Sequence, residues 1–411
     1  MSTPSLLNIP YLYKAGTLYS QIPESGAGDF TVSRTTTVAN RSTRINKDGL
    51  IETVLDNVPR LDYPVGGAVN GCPALLVEPS GVNYLLRSQE FDNASWIKNA
   101  SGINTLIGTN GIEANAAISP DGTQNADRVN FLLQTDPDLG LNQIYGAATS
   151  TQTYNTSIWF KGEGTNIGKQ IKVQIKRATG GTFVGTTATI TLTSGWVRFA
   201  SSAITLGASN SGVQVIVSSN DATNALIWGA QLEQGSVPTS YIPTTTAAVT
   251  RSADVIRKTN IPFLIGQSEG TVYFEVEVTD EARDRWIFSL DSAANSFIQG
   301  YITTTRVLGV SISNAGGVVM TSLNSSVLSV GYHKVAFAYN TATNGCQMFI
   351  DGVQNPVASR TVTGAGLPAF NNFTFGSYFS TQIDTLKGHV RAGELYPNRL
   401  TNAQLATLTA L

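Results

Sequence analysis

Residues 271–278 read TVYFEVEV, and this octet decides the fold. Val272, Phe274, Val276 and Val278 alternate with Tyr273, Glu275 and Glu277, a period of two that places apolar and polar side chains on opposite faces of one extended strand. A strand patterned this way belongs in an antiparallel sheet with one face on a core. Working outward, Val335, Phe337 and Tyr339 repeat the pattern downstream, and Ile171, Val173, Ile175 and then Val213, Val215, Val217 repeat it upstream. Asp48-Gly49 and Asp351-Gly352 fall between such runs, where tight hairpins need positive φ. No alternation of strands with helices occurs, which excludes a doubly wound parallel sheet and its nucleotide crevice.

One helix is expected, at the C-terminal end of the sequence. Thr401 caps it with Gln404 as reciprocal partner, and Leu400 and Leu405 occupy the positions of a hydrophobic staple. The fold class is therefore all-β: a short N-terminal β-hairpin region, then two antiparallel β-sandwiches of jelly-roll type, closed by one short C-terminal helix. Residues 1–80 carry short strand signals, too few for a core of their own, and are expected to need a partner surface. Residues 81–255 have the strand spacing of a sandwich, ending in a Pro238- and Pro243-containing segment that reads as a stiff connector. Residues 256–411 form the second sandwich.

Composition narrows the function. The chain has 411 residues, 13% of them charged, and a net charge of −2, so it has no global field to hold nucleic acid or an anionic membrane. No apolar run is long enough to span a bilayer, and membrane insertion is not expected. Cys72 and Cys346 match no metal-ligand or redox spacing, and no loop has a calcium-ligand register. Neither a cofactor nor an obligatory metal is expected.

Several longer stretches carry a resemblance. LLNIPYLYKAGTLYSQIP, GDFTVSRTTTVANRSTRINKDGLIETVLDNVPRLDYP and CPALLVEPSGVNYLLRSQEFDNASWIK together resemble the N-terminal block of bacteriophage virion appendage proteins. IWGAQLEQGSVPTSYIPTTTAAVTRSAD resembles the end of the carbohydrate-binding-module-like jelly roll that follows that block. GTVYFEVEV, GYHKVAFAYN, CQMFIDGV and ELYPNRLTNAQLATL resemble laminin-G-like or concanavalin A-like domains. The resemblance implies a head fibre, tail fibre or decoration subunit, made in a bacterial cytoplasm and located in the virion. It implies that residues 1–80 attach to other virion proteins or to sister chains, with a homotrimer as the expected assembly and a host-surface or mucosal glycan as the ligand.

The chemistry in the sequence is sparse. Gly266-Gln267-Ser268-Glu269-Gly270 has the letters of a nucleophile elbow, but a strand follows where that motif needs a helix. His333 and His389 show no obvious carboxylate partner in the sequence. Glu275 and Glu277 share a strand face, as a polysaccharide depolymerase would require of its two acids, but the alternation turns them toward solvent. A depolymerase using this pair, and a purely architectural decoration that binds nothing, are the rival readings. Sugar-binding sandwiches stack pyranose rings on exposed aromatic rings. Trp159, Trp196 and Trp228 lie in apolar strand patterns and read as core, and Trp96 follows a polar loop from which it can pack against the opening strand. Trp286 follows the charge-dense stretch 279–285 at a loop-to-strand junction; core packing is the leading reading for it as well, and Arg285, Trp286 and Tyr301 are the candidate ligand contacts.

Overall fold

A computed structural model of the chain describes residues 3–411 apart from 40, 65–66, 68–70, 100–101, 104–107, 109–110, 134–138, 178–184, 209–211, 220, 281–282, 294, 316 and 378–383. Among the described residues, every strand pair is antiparallel, and the α-helix is Asn402–Leu408. The octet that opened the sequence reading lies in the strand Glu269–Val278, between Gly331–Asn340 and Gly388–Tyr396 in an eight-stranded sheet. Its apolar face, Val272, Phe274, Val276 and Val278, is in the main core as the alternation requires.

Facing it is a nine-stranded sheet, whose strands run in the order 13–14, 17–18, 30–33, 255–258, 372–375, 285–293, 296–302, 307–314 and 317–327. The two sheets close on an aromatic centre: Phe30 stacks on Phe375 with centroids 4.5 Å apart, and Phe274 on Phe288 at 4.8 Å. Strands from the first 80 residues belong to both sheets. Leu6–Asn8 and Ala74–Val77 pair with Gly388–Tyr396, and Phe30–Ser33 pairs with Val255–Lys258. Leu6, Leu18, Phe30, Val32, Leu61, Leu75 and Val77 are buried in the same core as the C-terminal strands. The boundary drawn at residue 80 thus crosses continuous sheets, and the partner surface expected for this region is supplied by the chain's own last third.

The sandwich expected over residues 81–255 is an insertion into this outer one. Its five-stranded and six-stranded sheets are built from residues 97–234 and enclose a separate core containing Phe91, Trp96, Ile158 and Val217. The chain leaves the outer sandwich through Gly81–Asn83 and returns through Val249–Arg251, and these two strands pair with each other. The expected connector is not a free linker. Tyr241, Ile242 and Thr244 are buried, and the Asn83 amide donates to the Ile242 carbonyl at 2.8 Å.

Beneath this neck lies a buried ionic cluster. Arg34 donates to Asp254 at 3.0 Å, and Arg60 donates to Glu78 at 2.7 Å and also to Asp254. Arg251 donates to the Pro79 carbonyl at 2.8 Å and lies 3.4 Å from Glu78. Burial alone would raise the two carboxyls, but the surrounding guanidinium groups outweigh it and hold both below their ordinary range. Ser240 donates to Glu78 as well, so the cluster joins residues 1–80 to the end of the region 81–255. Removing one member leaves an uncompensated buried charge, a loss of about 3–5 kcal/mol.

Local signals vary in how they are realised. Asp351 and Gly352 both have positive φ, 51° and 85°, as a two-residue hairpin demands. At Asp48-Gly49 only Gly49 does, with φ 79°, because the loop is longer: the Asn46 side-chain oxygen accepts from the amides of Asp48 and Leu50. Gln174, polar in the alternation, is fully buried in its sheet.

Candidate functional site

The strands Arg285–Ala293, Ser296–Ile302, Val307–Asn314 and Gly317–Val327 form one end of the nine-stranded sheet. Their period-two pattern sends Leu290, Ile298, Ile302, Leu308 and Val310 into the core. The opposite face carries Trp286, Phe297, Gln299 and Tyr301, which line an open trough of about 460 Å³ together with Ser311, Ser322 and the carboxylates Asp284 and Asp384. Trp286, Phe297 and Tyr301 are half-buried, with part of each side chain reaching solvent.

Cross-strand register builds the trough. Trp286 is paired with Tyr301, and their rings meet edge to face with centroids 5.1 Å apart. Tyr301 lies opposite Gly309, and a Cβ at that glycine would approach the Tyr301 ring to 2.5 Å, so the absent side chain is what lets the ring lie across the neighbouring strand. The Tyr301 hydroxyl and Ser322 Oγ are hydrogen-bonded at 2.7 Å, which holds the ring in place. Gln299 donates through Nε2 to Ser311 Oγ at 3.1 Å. At the rim, Asp284 accepts from the Thr304 amide at 3.0 Å, and the Asp384 carbonyl accepts from the Trp286 amide at 2.8 Å. Two ring surfaces of fixed orientation beside amide, hydroxyl and carboxylate groups form a site suited to a ligand with one apolar face and many hydroxyls.

Two of the three candidate contacts, Trp286 and Tyr301, are therefore together in the trough. Arg285 is not. It is fully buried, and its guanidinium donates to the carbonyls of Thr279 at 2.6 Å and Arg283 at 3.2 Å. Alternation explains the correction: the residue before an outward-facing Trp286 points inward. Within the charge-dense stretch, residues 281 and 282 lie outside the described residues. The sequence reading missed Phe297, Gln299 and Asp384. The first two are the i−4 and i−2 neighbours of Tyr301 and were accessible from alternation, whereas Asp384 reaches the site only through tertiary contact.

The other tryptophans divide as follows. Trp96 and Trp228 are buried, and Trp159 is 8% exposed beneath a cation–π contact with Arg198 at 4.5 Å. Trp196, expected in the core, is half-buried and donates its indole hydrogen to the Ile118 carbonyl at 3.0 Å.

Both histidines have carboxylate partners, contrary to the sequence reading. His333 Nδ1 lies 2.6 Å from Asp351 of the hairpin turn, while its Nε2 is 3.0 Å from the Ser329 carbonyl oxygen and 3.3 Å from the Ser329 hydroxyl. His389 Nδ1 lies 2.6 Å from Glu277 and Nε2 3.0 Å from Asp62. Glu275 is paired with Arg391 at 3.2 Å. Burial alone would raise Glu277, but the hydrogen bond and charge of His389 hold it below the ordinary carboxyl range. A general acid of a glycosidase needs the opposite displacement.

No protein-family model matches the chain, and none of the curated proteins matches it in sequence. Among solved structures, it is similar to a leech intramolecular trans-sialidase, with 16% identity, 38% of this chain and 27% of the enzyme covered, and a TM-score of 0.31. It is also similar to the CBM40 of a Ruminococcus gnavus IT-sialidase bound to α2,3-sialyllactose, with 14% identity, 37% and 91% covered, and a TM-score of 0.32. For the NanB sialidase of Streptococcus pneumoniae the figures are 13% identity, 38% and 26% covered, and a TM-score of 0.33. The match spans about a quarter of the length of the leech and pneumococcal enzymes.

Proposed function

We propose that this protein is a non-catalytic glycan-recognition subunit of a virion appendage, with the trough at Trp286 and Tyr301 as its binding site. One observation carries the reading: two aromatic rings are held on the solvent side of a sheet, beside polar groups that can orient a sugar. Core packing does not require Trp286 and Tyr301 there, since the inward face of the same strands is already filled by Phe288 and aliphatic side chains. Trp286→Ala is expected to weaken binding of the best ligand on a glycan array by at least tenfold, in keeping with a lost stacking platform of about 1.5 kcal/mol or more. The thermal transition must persist in the variant for this to count, and undiminished binding by a folded variant rejects the site.

The virion role is supported by the resemblance of the stretches within residues 6–98 and of residues 227–254 to bacteriophage virion appendage proteins. In the first block, Ile9, Tyr11 and Leu12 are 44%, 54% and 48% exposed, an apolar surface of the kind that association covers. Native mass measurement of the full chain is expected to give a trimer, and a stable monomer at micromolar concentration rejects that assembly. The depolymerase alternative finds less support, because Glu275 and Glu277 are each engaged by a cation. Release of reducing ends from capsule polysaccharide that is abolished in Glu275→Gln would restore it.

A further inference from the structure

The trough accepts hydrogen bonds more readily than it donates them, and this bears on which sugars it takes. Among the described residues lining it, the ionisable groups of definite charge are the carboxylates Asp284 and Asp384, and no Lys, Arg or His lines it. Both carboxylates are exposed at its edge. The nearby Arg283 donates to the Thr385 carbonyl at 2.6 Å and lies 3.9 Å from Asp384, whose charge it offsets in part, and Arg306 donates to the Leu328 carbonyl at 3.1 Å and is paired with Asp280.

Several of the neutral donors are engaged as well. One hydroxyl hydrogen of the Tyr301–Ser322 pair lies between them, one of the two Gln299 amide hydrogens goes to Ser311, and the single Ser313 hydroxyl hydrogen faces the carbonyls of Gly317 at 3.1 Å and Asn295 at 3.3 Å. Gln299 is 8% exposed, and its Oε1 is buried without any hydrogen-bond donor. An unpaired amide oxygen at that depth costs about 1–3 kcal/mol. The terminal torsion of a glutamine side chain is broad, so a modest rotation turns this oxygen toward a donor seated in the trough.

We infer that the trough selects neutral or amino sugars, whose hydroxyl and ammonium groups donate, and discriminates against sugars bearing carboxylates. This deepens the glycan-recognition reading and rests on it. A carboxylated sugar brings further acceptors to the site and sets its charge against Asp284 and against Asp384, the latter offset in part by Arg283. A neutral hexose or a hexosamine offers its apolar face to Trp286 and Tyr301 and its donors to Gln299, Asp284 and Asp384.

The test uses the full chain and three probe sets: neutral gluco- and manno-oligosaccharides, chitosan oligomers, and anionic oligogalacturonates and sialyllactose. Neutral or chitosan probes are expected to bind at least roughly tenfold more tightly than anionic ones at low salt, with the gap narrowing as salt screens the carboxylates. The double variant Asp284→Asn, Asp384→Asn should close most of the gap between chitosan and anionic probes, weakening the former and strengthening the latter, with the thermal transition kept because both side chains are exposed. Equal or tighter binding of anionic probes, reduced in Trp286→Ala, overturns the selectivity and leaves the site standing. Silence across all three sets removes the site and the selectivity together.

Discussion

His389 ties strands from opposite ends of the chain, Asp62 near the start and Glu277 in the central strand of the eight-stranded sheet. Burial pulls its pKa down, but the two carboxylate hydrogen bonds outweigh this and raise it from 6.5 to about 9. A folded pKa above the unfolded one means that the stabilisation is fully present below pH 6.5 and is lost as pH rises through 9. The melting temperature is therefore expected to fall between pH 7 and about 9.5 by an amount reflecting on the order of 2 kcal/mol, after allowance for the partly exposed imidazole. Tyr332, pushed up to about 12 chiefly by burial, does not titrate in that window. His389→Gln should flatten the profile, and a wild-type curve equally flat over this range would show that the pairs contribute nothing. Arg285 and Trp286 make a second point at this scale. They are adjacent in sequence, but one lies in the interior holding loop carbonyls and the other lines the trough. Strand alternation separates neighbours by face, and a charge-dense approach to the strand does not reveal which neighbour is turned outward.

At the scale of elements, the readings that succeeded rest on local interactions. The terminal helix Asn402–Leu408 has both halves of its capping box, with Gln404 donating its amide to Thr401 Oγ1 and the Thr401 amide donating to Gln404 Oε1 at 2.9 Å. Leu400 and Leu405 are buried as a staple should be. The Asp351-Gly352 hairpin and the alternation of the central strand are likewise decided within a few residues. The trough itself was half legible. Trp286 and Tyr301 were identified, but their pairing depends on a register with a bulge between Trp286 and Phe288, and on Gly309 opposite Tyr301. A register of this kind is set by the packing of whole strands, which lies beyond local pattern.

For the whole molecule, the decisive feature is that one sandwich is inserted into another. The first 80 residues provide seven of the buried apolar side chains in the outer core and the salt-bridged members Arg34, Arg60 and Glu78 of the neck cluster. A chain shortened to residues 81–411 is therefore expected to lose its cooperative thermal transition and its near-ultraviolet circular dichroism from the outer sandwich. A sharp transition in that fragment, of undiminished enthalpy, would show that the N-terminal strands are dispensable. The amino-acid sequence alone determined the strand class, the C-terminal helix and the absence of helix–strand alternation, because periodicity, capping and turn chemistry act over a few residues. Only the tertiary structure decided that the N-terminal strands join the last third, that the Pro-containing segment is buried, and that both histidines find carboxylates. Those outcomes depend on contacts between residues hundreds of positions apart, and the energy of such contacts is not encoded in any local stretch of the chain.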